Sequence, residues 1–111
     1  MRATQALLMY SSRLTLFTKA DCGLCVTAKQ RVDAVRARRT VDYTEVDIME
    51  KDNKKWFNAY AFDVPVLHVS RVFHTYSKPD IVSEERKLMH RFSEQEIEEM
   101  MDEAEQQVQP Q

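Results

Sequence analysis

The two cysteines of this chain, Cys22 and Cys25, and its single glycine, Gly23, fall within four consecutive residues, and that crowding narrows the fold more than any other feature. A pair separated by two residues closes no long loop and cannot staple a small secreted scaffold. The chain is therefore expected to hold itself together by a hydrophobic core in a reducing, intracellular setting. Its 111 residues are enough for one such core and too few for two. Without a second glycine, a P-loop or a GxGxxG dinucleotide cradle is excluded. Sixteen Lys+Arg against eighteen Asp+Glu leave a net charge of −2, without the basic field that nucleic acid requires. No stretch approaches the ~20 apolar residues of a membrane span. Neither nucleic acid nor membrane is an expected partner.

Local patterning sets the cysteine pair between a strand and a helix. Residues 13–18 (RLTLFT) alternate Leu14 and Leu16 with Thr15 and Phe17, which predicts a buried strand. From Gly23 onward Cys25, Ala28, Val32 and Val35 recur at helical spacing, and Arg36, Arg38 and Arg39 gather at the end where the helix dipole favours cations. Residues 41–48 (VDYTEVDI) are rich in β-branched and aromatic side chains and complete a βαβ unit. Residues 50–62 are expected to bring Trp56, Phe57 and Tyr60 onto one face of a second helix. Pro65 cannot donate to a ladder and marks the entrance of a strand over Val66–Val69.

Residues 71–87, with Pro79 and many charges, predict a long inserted loop, Val72 to His74 at most prolonging the strand. A short fourth strand is expected over Leu88–Phe92. Ser93 and Glu96 have the spacing of a capping box, Phe92 and Ile97 that of a hydrophobic staple. Ile97, Met100, Met101, Ala104 and Val108 make the apolar stripe of a last helix. The order β-α-β-α-β-β-α predicts an α/β fold with a four-stranded mixed sheet and helices on its faces. The domain is expected over 13–108, with 1–12 either a flexible segment or a short targeting tail. Arg2, Arg13 and Lys19 with no acidic residue among the first twenty give a mitochondrial presequence composition, so the mitochondrion stands as the alternative to the cytoplasm.

A helix amino terminus stabilises a thiolate through its unpaired amides and the positive end of its dipole. Cys22 is placed there as the attacking thiol. Cys25, one turn further, faces the same side and is placed to resolve a mixed disulfide. Lys19 adds a positive charge nearby and Asp21 a negative one, while Gly23 is expected to give the turn into the helix its freedom. Two other readings of the pair stand beside this one. It is half of a zinc site, although His68, His74 and His90 lack ligand spacing, or it is two inert buried side chains. The histidines are expected as ordinary strand and loop residues, and Trp56, Phe57, Tyr60, Met100 and Met101 as core.

Taken together, the segments LTLFTKADCGLC, VDYTEVDI, WFNAYAFDVPVLHV and LMHRFSEQEI resemble a glutaredoxin, more specifically a small glutaredoxin-like branch of the thioredoxin fold. The combination is specific: a CxxC with lysine three positions before it and Val-Pro about forty residues after it. The resemblance implies a thioredoxin-like three-layer fold and a cis peptide bond at Pro65 facing Cys22. It also implies strand-like hydrogen bonds from the Val64 backbone to a bound peptide or glutathione, and contact of Lys19 with a glutathione carboxylate. Glutaredoxins place a glycine pair between the last strand and last helix, where glutathione approaches closely. This chain has Arg91-Phe92-Ser93-Glu94 there, and the WCGPC of thioredoxins is also absent.

The expected function is that of a glutaredoxin-like thiol–disulfide oxidoreductase in cell redox homeostasis. Cys22 and Cys25 are its catalytic pair, and Lys19, Val64 and Pro65 bind the substrate. The expected partner is a disulfide-containing protein or glutathione, and the expected state a monomer. No metal and no cofactor is required, and glutathione is a candidate reductant. One alternative, suggested by Gly23 after the first cysteine, is a glutathione-dependent 2Fe-2S cluster held between two protomers. The other is a non-catalytic thioredoxin-fold adaptor.

Overall fold

The first strand begins earlier than its alternation predicts. In a computed structural model of the protein, which describes residues 10–74, 79–81 and 83–107, β1 runs Tyr10–Thr18. Its first residues are held by pairing rather than by their own pattern: Tyr10 lies opposite Phe73 and Ser12 opposite Arg71 of β3 (Val66–His74). Helix α1 (Gly23–Arg38) buries the predicted stripe of Cys25, Ala28, Val32 and Val35. β2 (Val41–Asp47) lies parallel to β1, from Ser12 opposite Val41 to Thr18 opposite Asp47. A 3-10 turn over Lys51–Asn53 leads into the short helix α2 (Lys54–Tyr60). Trp56 and Tyr60, four apart, turn inward, but Phe57 is exposed, contrary to the expectation of a shared face. One residue along a helix is a rotation of about 100°, which carries Phe57 away from its neighbour's side.

Among its described residues, the long loop expected over 71–87 is largely strand. β3 continues to His74, and β4 (Pro79–Ile81) returns along it, Val72 opposite Ile81 and His74 opposite Pro79. β5 (Arg86–Met89) pairs with the first half of the same edge, Val66 opposite Met89 and Val69 opposite Arg86. The mixed sheet thus has four strand positions in the order β2-β1-β3 and then β4 with β5, the fourth filled in two pieces. Across the break the Arg71 N–H donates to Ser83 Oγ at 2.7 Å. The predicted strand over 88–92 stops at Met89 because His90 turns into the left-handed region, with φ 63°. Helix α3 (Glu94–Gln107) carries the predicted capping box: the Ser93 N–H donates to Glu96 Oε1 at 3.1 Å and the Glu96 N–H to Ser93 Oγ at 3.0 Å. Val108 and residues 1–9 lie outside the described residues. Among the described residues no helix is long and apolar enough to cross a membrane.

Successive side chains of a strand face opposite sides, so the sheet separates two cores. Leu14, Leu16, Leu67 and Val69 pack with Val32 and Val35 of α1 and with Ile97 and Met101 of α3. Phe17 and Val66 pack on the other side with Tyr60, Trp56, Val64 and Ile48. The layers are α1 with α3, the sheet, and α2. The acidic helix α3 is tied to its neighbours by arginines. Arg38 meets Glu94 at 2.8 Å and also Glu98, Arg39 meets Asp102 at 2.9 Å, and Arg86 meets Glu103 at 2.6 Å. β1 runs antiparallel to β3, so the end of β1, the end of β2 and the start of β3 share one pole, and the start of α1 joins them there.

Candidate active site

At that pole the chain leaves β1 through Lys19-Ala20-Asp21 and enters α1 at the cysteines. Asp21 takes the left-handed conformation, φ 58°, which Asp tolerates better than most side chains. Cys22 is extended and caps α1, its Sγ accepting the Cys25 N–H at 3.2 Å. Side-chain oxygens normally perform this capping, and here a sulfur does so at the positive end of the α1 dipole. No acidic residue stands in the first turn of α1 to oppose it. Cys22 is half-buried, whereas Cys25 is buried. Burial first, and then a hydrogen bond to Cys22, push the Cys25 thiol above its ordinary pKa. One sulfur faces the solvent at a helix start and the other is held protonated beneath it.

Gly23 does not serve the purpose expected of it. It is not in the left-handed region, and a Cβ added there would meet nothing within 4 Å. The conformations that favour glycine fall instead on Asp21 and His90. Among the described residues no group of three His, Cys, Asp or Glu side chains is placed to hold a metal ion.

Two of the predicted residues, Lys19 and Val64, lie beside the pair. Lys19 shares with Cys22 and Cys25 a cleft of about 410 Å³. The Val64–Pro65 bond is cis, and Val64 packs in one cluster with Cys25 and Cys22. The Lys19 ammonium donates to the Ala61 carbonyl at 3.3 Å, tying the β1–α1 loop to the end of α2. The N–H groups of Asp63 and Val64 both donate to the Tyr60 carbonyl, at 2.9 and 3.2 Å, so the Val64 amide is already engaged within the loop. Beyond the proline, the Pro65 carbonyl accepts the His90 N–H at 2.8 Å.

The sequence profile of the glutaredoxin-like domain family (DUF836) matches residues 13–102. The chain belongs to that family. This glutaredoxin-like domain is also similar to several solved structures. A structural-genomics target protein from X. campestris is 26% identical, with a TM-score of 0.54 over 82% of this chain and 97% of the other. Trichomonas vaginalis thioredoxin is 16% identical, with a TM-score of 0.56 over 92% of this chain and 86% of that one. Plasmodium falciparum thioredoxin is 14% identical, with a TM-score of 0.55 over 91% and 77%. At these identities the thioredoxins establish the fold: the glutaredoxin-like domain is a thioredoxin-like α/β protein carrying a Cys22–Cys25 pair.

One constellation beside the site lies outside the residues that the sequence singles out. His68, expected as an ordinary strand residue, is buried on the α2 side of the glutaredoxin-like domain. Its Nε2 lies 2.8 Å from the Tyr60 hydroxyl and its Nδ1 2.9 Å from Glu85 Oε1. Phe17, Trp56 and Tyr60 surround the ring at centroid distances of 4.6, 5.9 and 5.7 Å. Strand parity puts His68 on the same face as Val66 and so beneath α2, which is the signal that could have found it. Glu85 lies between β4 and β5, within the stretch expected as loop.

Proposed function

We propose that this domain is a thiol–disulfide oxidoreductase. The observation that carries the reading is the asymmetry of the two sulfurs. Cys22 caps α1 with its sulfur partly open, and Cys25 lies buried one turn behind it, within reach to resolve an intermediate. The Cys22 thiolate attacks one sulfur of a substrate disulfide. A bond forms to Cys22, the substrate S–S bond breaks, and the displaced sulfur leaves as a thiolate that takes a proton from water. Cys25 then gives up its proton and attacks Cys22 Sγ, forming the Cys22–Cys25 disulfide and releasing the second substrate thiol. The substrate gains two electrons and two protons, and an external thiol reductant, a dithiol or a pair of glutathione molecules, returns them to the protein. Val64 packs in the cluster that both cysteines join, and with the Val64 N–H held by Tyr60, a bound chain pairs with the Val64 carbonyl that precedes the cis proline.

The glutathione and cluster readings are less well supported by the residues present. Where glutaredoxins carry their glycine pair, Phe92 is buried, and Glu96 occupies the Ser93 amide at the start of α3, setting a carboxylate where an incoming carboxylate would approach. A 2Fe-2S cluster would take only the Cys22 sulfur from this chain, since Cys25 is buried, and would depend on glutathione for further thiolates.

Thiol trapping with mass spectrometry across a series of redox buffers tests the proposal. The pair should cycle between dithiol and disulfide, Cys22→Ser should abolish reduction of a disulfide substrate, and Cys25→Ser should accumulate the mixed disulfide at Cys22. Undiminished activity in Cys22→Ser would overturn the assignment.

A further inference from the structure

Among the described residues the exposed large apolar side chains are Leu24, Val26, Met49, Phe57, Phe62 and Met89, and every one stands at the pole of the cysteines. Leu24 and Val26 follow Cys22 in the first turn of α1, Met49 follows β2, Phe57 lies within α2 and Phe62 just past its end, and Met89 lies opposite Val66 at the start of β3. Scattered exposed apolar residues are ordinary, but a contiguous set beside a reactive group marks a binding surface. Phe62 is the extreme case at 98% exposed, with Met49 at 59% and Phe57 at 41%. These three wall a groove of about 470 Å³ whose remaining side is Lys19-Ala20-Asp21 and Ala61. The same Lys19-Ala20-Asp21 stretch forms one wall of the cleft that holds Cys22. Groove and cleft are therefore neighbours across a single turn of backbone.

We propose that this groove is a specificity site: it receives a large apolar side chain adjacent to the reacting cysteine of a polypeptide disulfide. The inference rests on the oxidoreductase reading and extends it to a substrate class. A molecule whose disulfide lies on Cys22 must pass its flanking residues over the Lys19–Asp21 wall or over the first turn of α1. On the Lys19–Asp21 side the surface offered is aromatic and thioether, with the polar ends of Lys19 and Asp21 at its border. A small hydrophilic disulfide covers none of it, whereas a polypeptide segment with Leu, Met or Phe beside its cysteine covers Phe62 and Met49 together. Phe62 touches neither cysteine, so its role is to select and hold the substrate.

The test uses the reduced full chain in single-turnover reactions with two synthetic peptides. Each carries one intramolecular disulfide, and they differ only in having Leu or Ser next to the attacked cysteine. The rate of thiol release should favour the Leu peptide by roughly 10- to 100-fold, the factor that burial of one large apolar side chain supplies. In Phe62→Ser that ratio should fall to near one, and Phe62→Leu should restore most of it. A wild-type ratio near one, or a ratio unchanged in Phe62→Ser, overturns the proposal. So does sedimentation showing a dimer of the wild-type chain that Phe62→Ser abolishes, because the groove would then be covered by a second copy. If neither peptide is reduced, the oxidoreductase reading itself has failed. Non-reducible thioether analogues of the two peptides then decide the groove by their dissociation constants: tighter binding of the Leu analogue, lost in Phe62→Ser, supports it, and equal binding overturns it.

Discussion

Leu16 and Phe17 are neighbours in β1, yet they face opposite sides of the sheet and meet different chemistry. Leu16 enters a layer that is aliphatic apart from Phe92, with Leu14, Val32, Val35, Leu67, Val69, Ile97 and Met101 exposing no surface. Phe17 enters a layer of rings and reactive groups: Trp56 at 4.5 Å, Tyr60 at 5.3 Å and His68 at 4.6 Å between centroids, with Cys25 in the same cluster. The first layer gains stability from apolar area and close packing alone. The second must also satisfy a phenol, an imidazole and a thiol, each of which is costly to bury unpaired. The closed hydrocarbon packing lies on the α1 and α3 side, and the buried phenol, imidazole and thiol lie on the α2 side, where they border the cysteines.

That division predicts unequal costs of substitution. Leu16→Ala removes a side chain with no exposed surface from the closed layer and should cost about 2–5 kcal/mol in urea unfolding, the range for a buried Leu that leaves a cavity. Tyr60→Phe keeps the ring of the α2 layer but removes the hydroxyl that lies 2.8 Å from His68 Nε2. A buried nitrogen left without its partner should cost about 1–3 kcal/mol, with less effect on packing. The comparison breaks if Tyr60→Phe proves the more damaging of the two.

A pH series sharpens the same contrast, because the aliphatic layer cannot titrate. Burial lowers the His68 pKa below its ordinary 6.5, with Lys87 adding to the effect and Glu85 opposing it. The neutral ring accepts from the Tyr60 hydroxyl at Nε2 while its Nδ1–H donates to Glu85. Above pH 6.5 the ring is neutral in both the folded and unfolded chain and contributes no pH dependence. As the pH falls below 6.5 the unfolded chain takes up a proton that the folded chain refuses, so stability should fall through the folded pKa, by on the order of 1 kcal/mol per pH unit. His68→Gln can make similar hydrogen bonds without titrating and should flatten this slope in unfolding measured from pH 7.5 down to 5. Parallel curves for the two proteins would show that His68 is not held neutral.

The same contrast explains what the sequence made legible. The α1 stripe and the Ser93–Glu96 box are local patterns, and both formed as predicted, because helical periodicity and capping are decided within one or two turns. The cysteine pair at a helix start was legible for the same reason. β3 beyond Val69 was not, because Ser70 and Arg71 look like loop residues although they are buried at 2% and 7% exposed. Arg71 is accommodated there by Glu105 of α3, 3.4 Å away, and by the Tyr10 ring. Tyr60, His68 and Glu85 are brought together only by the strand register and the break in the fourth strand position, and short-range periodicity carries no trace of such a meeting. Phe62 reads as one aromatic among several until its exposure is seen.

The start of α1 meets both layers, Cys25 packing with the α2 cluster and Ala28 with the aliphatic one, and Gly23 lies just before them. It follows the capping residue Cys22 and is the first residue of α1, a position where proline is well tolerated because that N–H has no helical acceptor. A proline also requires an extended residue before it, and Cys22 has φ −118° and ψ 107°. The surrounding space is open, and the Cys25 N–H bond to Cys22 Sγ does not involve residue 23. Gly23→Pro should therefore stabilise the domain by about 0.4–1 kcal/mol in urea unfolding, by restricting the unfolded chain while leaving the folded one unstrained. The variant should leave the Leu16→Ala cost unchanged, because it adds nothing to the aliphatic layer. Destabilisation by Gly23→Pro would mean that the first turn of α1 depends on glycine's freedom, and the boundary between the stable and the reactive layer would then lie deeper in α1, beyond Cys25.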